Sequence, residues 1–198
     1  MLISLADYGV GNLHSIKKAL ENSGTSVKVV KDMKELIDAE CIVFPGVGAF
    51  DRPMERILPY KDEINALLKA GTPALGICIG MHILFERSEE GISKGIGYMN
   101  GSVKKLKCER IPHMGWNSVD SDDPIMDDIK SKAFYFAHSY HAEPSEPITI
   151  GRTSYENVEI GSLFRKGNVY GCQFHPEKSS SSGMTFLKNF IEHAEDSL

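Results

Sequence analysis

Three side chains suited to covalent catalysis are widely separated along this chain. Cys78 is the central residue of a Gly-Ile-Cys-Ile-Gly segment, and His175 and Glu177 flank a proline far downstream. A thiol, an imidazole and a carboxylate can act as a nucleophile, its general base and the group that orients the base. The sequence therefore predicts Cys78, His175 and Glu177 as catalytic residues.

The residues around Cys78 predict a tight turn from a strand into a helix. Leu75–Ile77 is a short apolar run typical of a buried strand, and Met81–Phe85 indicates the start of a helix. Gly76 and Gly80 suit such a bend because larger residues would crowd it. A helix N-terminus also favours the thiolate form of a cysteine. The alternative is that Cys78 is a small, buried apolar residue.

The proline between His175 and Glu177 shapes the second half of the predicted site. Pro176 favours extended backbone at the residue before it, and alternate residues of an extended segment face the same way. We expect the carboxylate of Glu177 to fix the tautomer of His175 while the other ring nitrogen reaches the thiol. The alternative is a solvated pair of side chains at a strand end.

A second glycine-rich segment follows a predicted strand, Cys41–Phe44. In Pro-Gly-Val-Gly, residues 45–48, backbone N–H groups can point to the same edge of the sheet as the cysteine. We expect the N–H groups of Val47 and Ile79 to form an oxyanion hole. Taken alone, this segment is also typical of an ordinary turn.

The first half of the chain alternates between strand and helix patterns. Strands are predicted at Leu2–Ala6, Val27–Val30 and Cys41–Phe44, with a helix from Leu13 capped by Asn12. Further helical segments lie between Met54 and Leu68, interrupted at Pro59. This alternation favours an α/β fold with a parallel sheet covered by helices, and chemistry at the carboxyl ends of its strands.

The second half has short β-rich segments punctuated by turn residues. They lie between residues 96 and 174, and we expect antiparallel additions there. The serine-rich run Ser179–Gly183 is interpreted as a capping and turn segment before a last amphipathic helix marked by Met184, Leu187, Phe190 and Ile191.

Composition narrows the classes of protein. A chain of 198 residues with 41% hydrophobic residues suits a single domain over residues 1–198. The net charge is -5 and basic residues are scattered, which argues against a nucleic-acid partner. The four cysteines show no C-x-x-C spacing, so we expect neither a metal site nor disulfides. Without a signal-like or membrane-spanning apolar run, we expect no membrane association and a cytoplasmic location.

The chain resembles a known enzyme family in these motifs. Gly-Ile-Cys-Ile-Gly with His-Pro-Glu is similar to the class I, triad-type glutamine amidotransferases. Further motifs along the whole chain resemble the glutaminase subunits of imidazole glycerol phosphate synthases. These motifs are Asp7–Asn12, Pro45–Gly48, Pro112–Asn117, Phe134–Tyr140 and Gln173–Ser179.

The resemblance implies a fold and a reaction. The fold is an open, mostly parallel, flavodoxin-like sheet covered by helices with antiparallel β additions. Cys78 attacks the side-chain amide of glutamine, His175 protonates the departing ammonia and then activates water, and Glu177 stabilises the imidazolium. No metal or organic cofactor is required. In the family, ammonia passes to a (β/α)8-barrel cyclase subunit within a heterodimer of histidine biosynthesis.

The resemblance also assigns residues outside the triad. It implies substrate binding by Gly46, Gly48, His82, Ser139 and Tyr140. The partner interface and ammonia passage are expected to include Asn12, Trp116, Tyr135 and Lys178, although core packing is equally open for Trp116 and Tyr135.

One position departs from the family pattern. The family usually has glutamine where this chain has His82, so we expect weaker or altered glutamine binding. Three alternatives stay open: a paralogous amidotransferase that supplies another synthase, a noncatalytic module that keeps the pocket, and a peptidase or esterase built on the same turn.

Overall fold

The computed structural model describes residues 1–9, 12–46 and 48–198, and Val10, Gly11 and Val47 lie outside the described residues. The strands are β1 (Leu2–Ala6), β2 (Ser26–Val30), β3 (Cys41–Phe44), β4 (Ala74–Ile77), β5 (Arg87–Ser88), β6 (Gly101–Lys105), β7 (His113–Ser118), β8 (Ala133–His138), β9 (Tyr140–Pro144), β10 (Thr149–Tyr155), β11 (Val158–Lys166) and β12 (Val169–Cys172). The α-helices are α1 (Leu13–Asn22), α2 (Asp51–Ile57), α3 (Lys61–Lys69), α4 (Ile79–His82) and α5 (Ser180–Asp196). Short 3-10 turns occupy Met33–Asp38, Leu58–Tyr60, Pro124–Met126 and Pro176–Lys178.

A seven-stranded sheet in the order β10-β11-β12-β4-β3-β1-β2 forms the centre of the fold. The five strands from β12 to β2 run parallel, and β10 and β11 extend the sheet in antiparallel fashion. The central strands β3 and β4 are buried at every position, as expected for continuous apolar strands covered on both faces. The predicted α/β class with antiparallel additions is confirmed.

Two apolar cores lie on the two faces of this sheet. One includes Phe44, Phe85 and Phe164. The other includes Leu5 and Phe174, together with residues of α1 and α5. Because both faces are covered, the open edge at the carboxyl ends of the strands is the place where polar groups can meet.

The register of the sheet brings three strand ends side by side. Phe44 at the end of β3 pairs with Gly76 of β4, and Ile77 of β4 pairs with Cys172 at the end of β12. The segments that leave these strands therefore lie next to one another. They carry the glycine-rich loop, the candidate cysteine and the candidate histidine.

The structure differs from the sequence prediction after Cys78. The helix α4 has only four residues and does not continue through Phe85. The carbonyls of Ile83, Leu84 and Phe85 instead accept hydrogen bonds from the N–H groups of Ile96, Met99 and Gly97. Because a later loop occupies these acceptors, the helix ends early.

The serine-rich run also differs from its prediction. Ser179 occupies the N-cap position as predicted, but the residues from Ser180 onward form the first turn of α5 rather than a separate turn. The hydroxyl of Ser182 donates to the carbonyl of Ser131, and a side chain at Gly183 would overlap the carbonyl of Pro176. Tertiary contacts therefore hold residues of low helix propensity in a helix. Within the described residues, no helix is both long and apolar enough to cross a bilayer.

Candidate active site

Cys78 lies between β4 and α4 with φ 50° and ψ −108°. A non-glycine residue rarely adopts such a positive φ, which costs on the order of 1–3 kcal/mol and is often found at functional sites. A Cβ on Gly76 would lie 2.6 Å from the carbonyl oxygen of Gly80, and a Cβ on Gly80 would overlap the carbonyl of Phe44. The predicted strand-to-helix turn and the need for both glycines are confirmed.

The sulfur of Cys78 is nearly enclosed. The residue is 4% exposed, and its N–H donates to the carbonyl of Cys172 at 2.7 Å. The side-chain amide of Gln173 donates to Sγ at 3.7 Å. Ile79 is the first residue of α4, so its N–H has no acceptor within the helix. This N–H lies at the position where an oxyanion donor is predicted, and the second predicted donor, Val47, lies outside the described residues.

His175 and Glu177 contact each other, but not through the predicted strand alternation. Nδ1 of His175 lies 2.9 Å from Oε1 of Glu177. His175 is extended, whereas Pro176–Lys178 forms a 3-10 turn with proline in its first position. Proline has no N–H and a fixed φ, which suits the start of such a turn. The turn brings the carboxylate back to the ring.

The backbone of His175 is held from β8. Its N–H donates to the carbonyl of Tyr135 at 2.8 Å, and its carbonyl accepts from the hydroxyl of Ser179 at 2.6 Å. The same hydroxyl accepts from the N–H of Tyr135 at 2.9 Å. Strand β8 and Ser179 therefore hold the backbone from which the imidazole projects.

The charge state of His175 is set by its neighbours. Burial opposes a charged ring, but hydrogen bonds to Cys78 and Glu177 and the negative charge of both groups raise the pKa of His175 to about 10. The ring is therefore positively charged at neutral pH, in the form that pairs with a thiolate. Cys78, His175 and Glu177 are brought together as predicted.

A cavity of about 280 Å³ opens beside Cys78 and His175. This volume is at the scale of a small polar ligand. All five residues predicted to bind substrate line the cavity: Gly46, Gly48, His82, Ser139 and Tyr140.

Glu90 is a charged residue of the cavity that the sequence does not single out. Glu90 lines the cavity, and its Oε2 is buried without a hydrogen-bond partner among the described residues. Burial and the nearby charge of Asp51 raise the pKa of Glu90, although a backbone hydrogen bond from Phe50 opposes this. Because Glu90 follows another glutamate in a polar loop, its sequence context indicates only a solvated charge.

A chain of buried histidines supports the Ser139–Tyr140 wall of the cavity. Nδ1 of His138 donates to the carbonyl of Tyr140 at 2.9 Å, so its Nε2 accepts from Nδ1 of His113 at 3.0 Å. Burial lowers the pKa of His113 to about 4, so this ring is neutral. These contacts explain why histidines occur in the motifs of β7 and β8, which the sequence alone does not.

The residues predicted at the partner interface differ in their exposure and in whether they line the cavity. Trp116 is 55% exposed and meets the ring of Tyr135 edge-on at 6.2 Å, which rules out core packing for Trp116. Lys178 lines the cavity, with its Nζ 5.8 Å from the centre of the Tyr135 ring. Met114 is 63% exposed and also lines the cavity. Asn12 is exposed and caps α1 but is not among the residues that line the cavity.

The family is decided by comparison with known proteins. The model of the family described as glutamine amidotransferase class-I matches residues 4–194. This chain belongs to the class-I glutamine amidotransferases.

Several relatives of this amidotransferase are similar over their full length. This chain is 45% identical over 197 residues to the imidazole glycerol phosphate synthase subunit HisH of Methanocaldococcus jannaschii. The alignment covers 96% of this chain and 99% of that protein. This chain is also 45% identical over 193 residues to the HisH subunit of Pyrococcus furiosus, covering 95% and 97%. The HisH subunit of Bacillus cereus is 41% identical over 197 residues, covering 96% and 93%.

Solved structures agree on the amidotransferase fold. A crystal structure of a glutamine amidotransferase superimposes with a TM-score of 0.75 at 18% identity, covering 98% of both chains. A chain of the PurLQS structure from Thermotoga maritima gives a TM-score of 0.71 at 21% identity, covering 96% of this chain and 97% of that one. At this level of identity the likeness concerns the fold.

Proposed function

We propose that this amidotransferase is the glutaminase subunit of an imidazole glycerol phosphate synthase and supplies ammonia to a cyclase subunit in histidine biosynthesis. The observation that carries the glutaminase chemistry is the meeting of Cys78, His175 and Glu177 beside one cavity. The full-length similarity to HisH subunits supports the choice of partner. The family match over residues 4–194 supports a single domain.

The proposed reaction hydrolyses the side-chain amide of glutamine in two steps. The sulfur of Cys78 attacks the amide carbon, and His175 gives its proton to the nitrogen, so that ammonia leaves and a thioester remains. His175 then takes a proton from water, which attacks the thioester and releases glutamate. Glu177 holds the ring and stabilises its positive charge. The balance is glutamine plus water to glutamate plus ammonia, without a metal or organic cofactor.

Two further groups suit glutamine as the substrate. The N–H of Ile79 can donate to the oxyanion of the tetrahedral intermediate, and Val47 is the proposed second donor. The carboxylate oxygen of Glu90 that has no partner among the described residues can accept a hydrogen bond from the α-ammonium group of an amino acid. A peptide or ester substrate would not require an anionic group there.

The exposed apolar residues beside the cavity suit a protein partner. Met114 and Trp116 are large, exposed side chains on β7, and aromatic residues are common anchors of protein interfaces. We propose that this surface, with Asn12, Tyr135 and Lys178, meets the barrel of the cyclase and borders the ammonia passage. The assembly is then a heterodimer.

The test is transfer of isotope-labelled amide nitrogen from glutamine into the product of the cyclase, with the two subunits purified together. The proposal predicts label in imidazole glycerol phosphate with the wild type and none with Cys78→Ala, while free ammonia still supports the cyclase with both. Glutamine hydrolysis without transfer to this cyclase would instead favour a different synthase partner. Faster turnover of peptides or esters than of glutamine, or none at all, would contradict the glutaminase assignment.

A further inference from the structure

A buried amide and a buried imidazole form a hydrogen-bonded chain that ends at the sulfur of Cys78. Gln173 is 0% exposed and His82 is 1% exposed. Nε2 of Gln173 lies 3.7 Å from Sγ of Cys78, and its Oε1 lies 3.0 Å from Nε2 of His82. The proton transfers proposed above involve neither Gln173 nor His82.

The chain follows from the sheet. Gln173 is the first residue after β12, and Cys78 is the first residue after the neighbouring parallel strand β4. The paired ends, Cys172 and Ile77, place the two following residues side by side. The N–H of Gln173 also donates to the carbonyl of Ser162 at 2.9 Å, which anchors the backbone from β11.

The amide orientation of Gln173 in the structure sets the direction of the hydrogen bonds in this chain. Oε1 of Gln173 can only accept, so Nε2 of His82 must carry a proton. Burial is the main cause that lowers the pKa of His82 to about 4, so the ring is neutral and carries that proton alone. Its Nδ1 is therefore an acceptor, and it has no partner among the described residues. The NH₂ group of Gln173 then faces Sγ of Cys78 and donates to it.

We propose that Gln173, oriented by His82, is a positioning residue that fixes the sulfur of Cys78 and stabilises its anionic form through an N–H donor. The inference rests on the proposed role of Cys78 as the nucleophile. Cys78 is only 4% exposed, so its sulfur has little access to water and the anion depends on donors supplied by the protein. His175 is one such group, and Gln173 is a second that takes no part in proton transfer.

His82 explains why the amide donates rather than accepts at the sulfur. A side-chain amide can rotate by half a turn and present its oxygen in place of its nitrogen. That rotation would set the oxygen of Gln173 against the anionic sulfur and its NH₂ group against the N–H of His82. While its proton is on Nε2, His82 therefore favours the orientation in which the amide donates to the sulfur. The proposed role requires only a side-chain N–H donor at this position, and the imidazole of His82 supplies one.

The test is the rate at which iodoacetamide alkylates Cys78, measured by mass spectrometry of the Cys78 peptide as a function of pH. The full chain is used, alone and with the cyclase. Gln173→Met keeps the length of the side chain but removes its donor, and we expect alkylation about tenfold slower at neutral pH because less thiolate is present. The deficit shrinks as alkali ionises the thiol, whereas a general packing defect lowers the rate at every pH.

Two variants of His82 test its share of the chain. We expect His82→Phe, which cannot donate to Gln173, to slow alkylation about threefold at neutral pH by releasing the orientation of the amide. His82→Gln retains an N–H donor and restores most of the rate. If Gln173→Met does not fold, this pair decides the matter: equal rates for the two variants overturn the proposal.

A matched control lies at the other end of the same strand. Asn168 precedes β12, and its amide donates to the carbonyl of Gly71 at 2.8 Å. Asn168→Leu also removes a side-chain amide hydrogen bond, but it leaves the alkylation profile unchanged. A similar loss of rate with Asn168→Leu and Gln173→Met would contradict a specific role for Gln173.

The outcomes separate this inference from the proposed function. If the wild type transfers amide nitrogen to the cyclase but alkylation does not depend on Gln173, the positioning role is wrong and the function stands. If alkylation depends on Gln173 and His82 as described but glutamine is not hydrolysed with the cyclase, the function is wrong and the contact with the sulfur stands.

Discussion

At the scale of single residues, the site depends on charges that the protein buries and then pairs. His175 is 1% exposed and positively charged beside Glu177, while His82 is equally buried and neutral. The difference arises from their neighbours, since one ring meets a carboxylate and a thiol and the other meets an amide. Residue type alone does not specify these charge states.

The charge of His175 makes stability depend on pH. Its pKa rises from the ordinary value of 6.5 to about 10, so the protonated ring adds stability that is complete below pH 6.5. This contribution is lost as the pH rises through about 10. Glu177→Gln removes one cause of the raised pKa, so we expect its unfolding free energy to fall less steeply over this range. Denaturant titrations at a series of pH values measure the slope.

The control for this variant is Glu55→Gln, at an exposed position on α2. Its profile runs parallel to that of the wild type. Parallel profiles for Glu177→Gln and the wild type would show that Glu177 does not set the charge of His175.

Glu90 provides a prediction about substrate affinity. If its carboxylate binds the α-ammonium group of glutamine, Glu90→Gln raises KM by about tenfold or more, as expected for a lost hydrogen bond between charged groups. The value of kcat stays within about threefold because Glu90 does not contact the reacting amide. Steady-state glutaminase assays with the cyclase measure both constants.

Glu89→Gln is the matched control for Glu90. The neighbouring carboxylate of Glu89 pairs with Lys104 at 3.0 Å and is not among the residues that line the cavity. Its KM remains that of the wild type. Equal effects of the two substitutions would mean that a general change of charge, rather than contact with glutamine, is responsible.

At the scale of elements, the strand-to-helix turn requires close backbone approach. Gly80→Ala would force a methyl group into the carbonyl of Phe44, at the end of the neighbouring strand. We expect a loss of about 2 kcal/mol or more in unfolding free energy. We also expect slower alkylation of Cys78, because either strand end must move. Denaturant unfolding and the alkylation assay measure the two effects.

Gly24→Ala is the comparison for Gly80→Ala. Gly24 follows α1 with a positive φ, but a Cβ there meets nothing within 4 Å. We expect a cost of about 1 kcal/mol from backbone strain alone, with no change in the reactivity of Cys78. A cost no greater for Gly80→Ala would contradict the close packing of the turn.

Local patterns predicted the strands and the triad better than the connections between them. The apolar runs before Cys78 and the glycines around it lie within a few residues, so the turn could be predicted. The early end of α4 depends on Ile96, Met99 and Gly97, and the helical serine run depends on contacts with Pro176. Distant partners of this kind leave no signal in the local sequence. The same holds for Glu90, whose environment includes Phe50 and Asp51, which are distant from it in the chain.

At the scale of the whole molecule, large apolar side chains are exposed beside the cavity. Trp116 is 55% exposed and contacts Tyr135, which in turn contacts Lys178 of the cavity wall. A partner that covers Trp116 would therefore also close the mouth of the cavity. Under the proposed function, this arrangement would link assembly with the confinement of ammonia.

Trp116→Ala tests the interface. A central aromatic anchor contributes about 2 kcal/mol or more, so we expect the Kd for the cyclase to rise by at least about thirtyfold. Isothermal titration calorimetry measures this change. Leu58→Ala is the control, because Leu58 is 53% exposed but is not among the residues that line the cavity. Unchanged affinity for Trp116→Ala would place the interface elsewhere.

The most direct test of the proposed chemistry is to look for the thioester itself. The complex with the cyclase is mixed with glutamine, quenched in acid within the first turnovers and digested for mass spectrometry. The γ-glutamyl group should be found on the Cys78 peptide, and both the adduct and glutamine hydrolysis should be absent with Cys78→Ala. Sustained hydrolysis of glutamine by Cys78→Ala, with no adduct on the wild-type peptide, would contradict the assignment of Cys78 as the nucleophile.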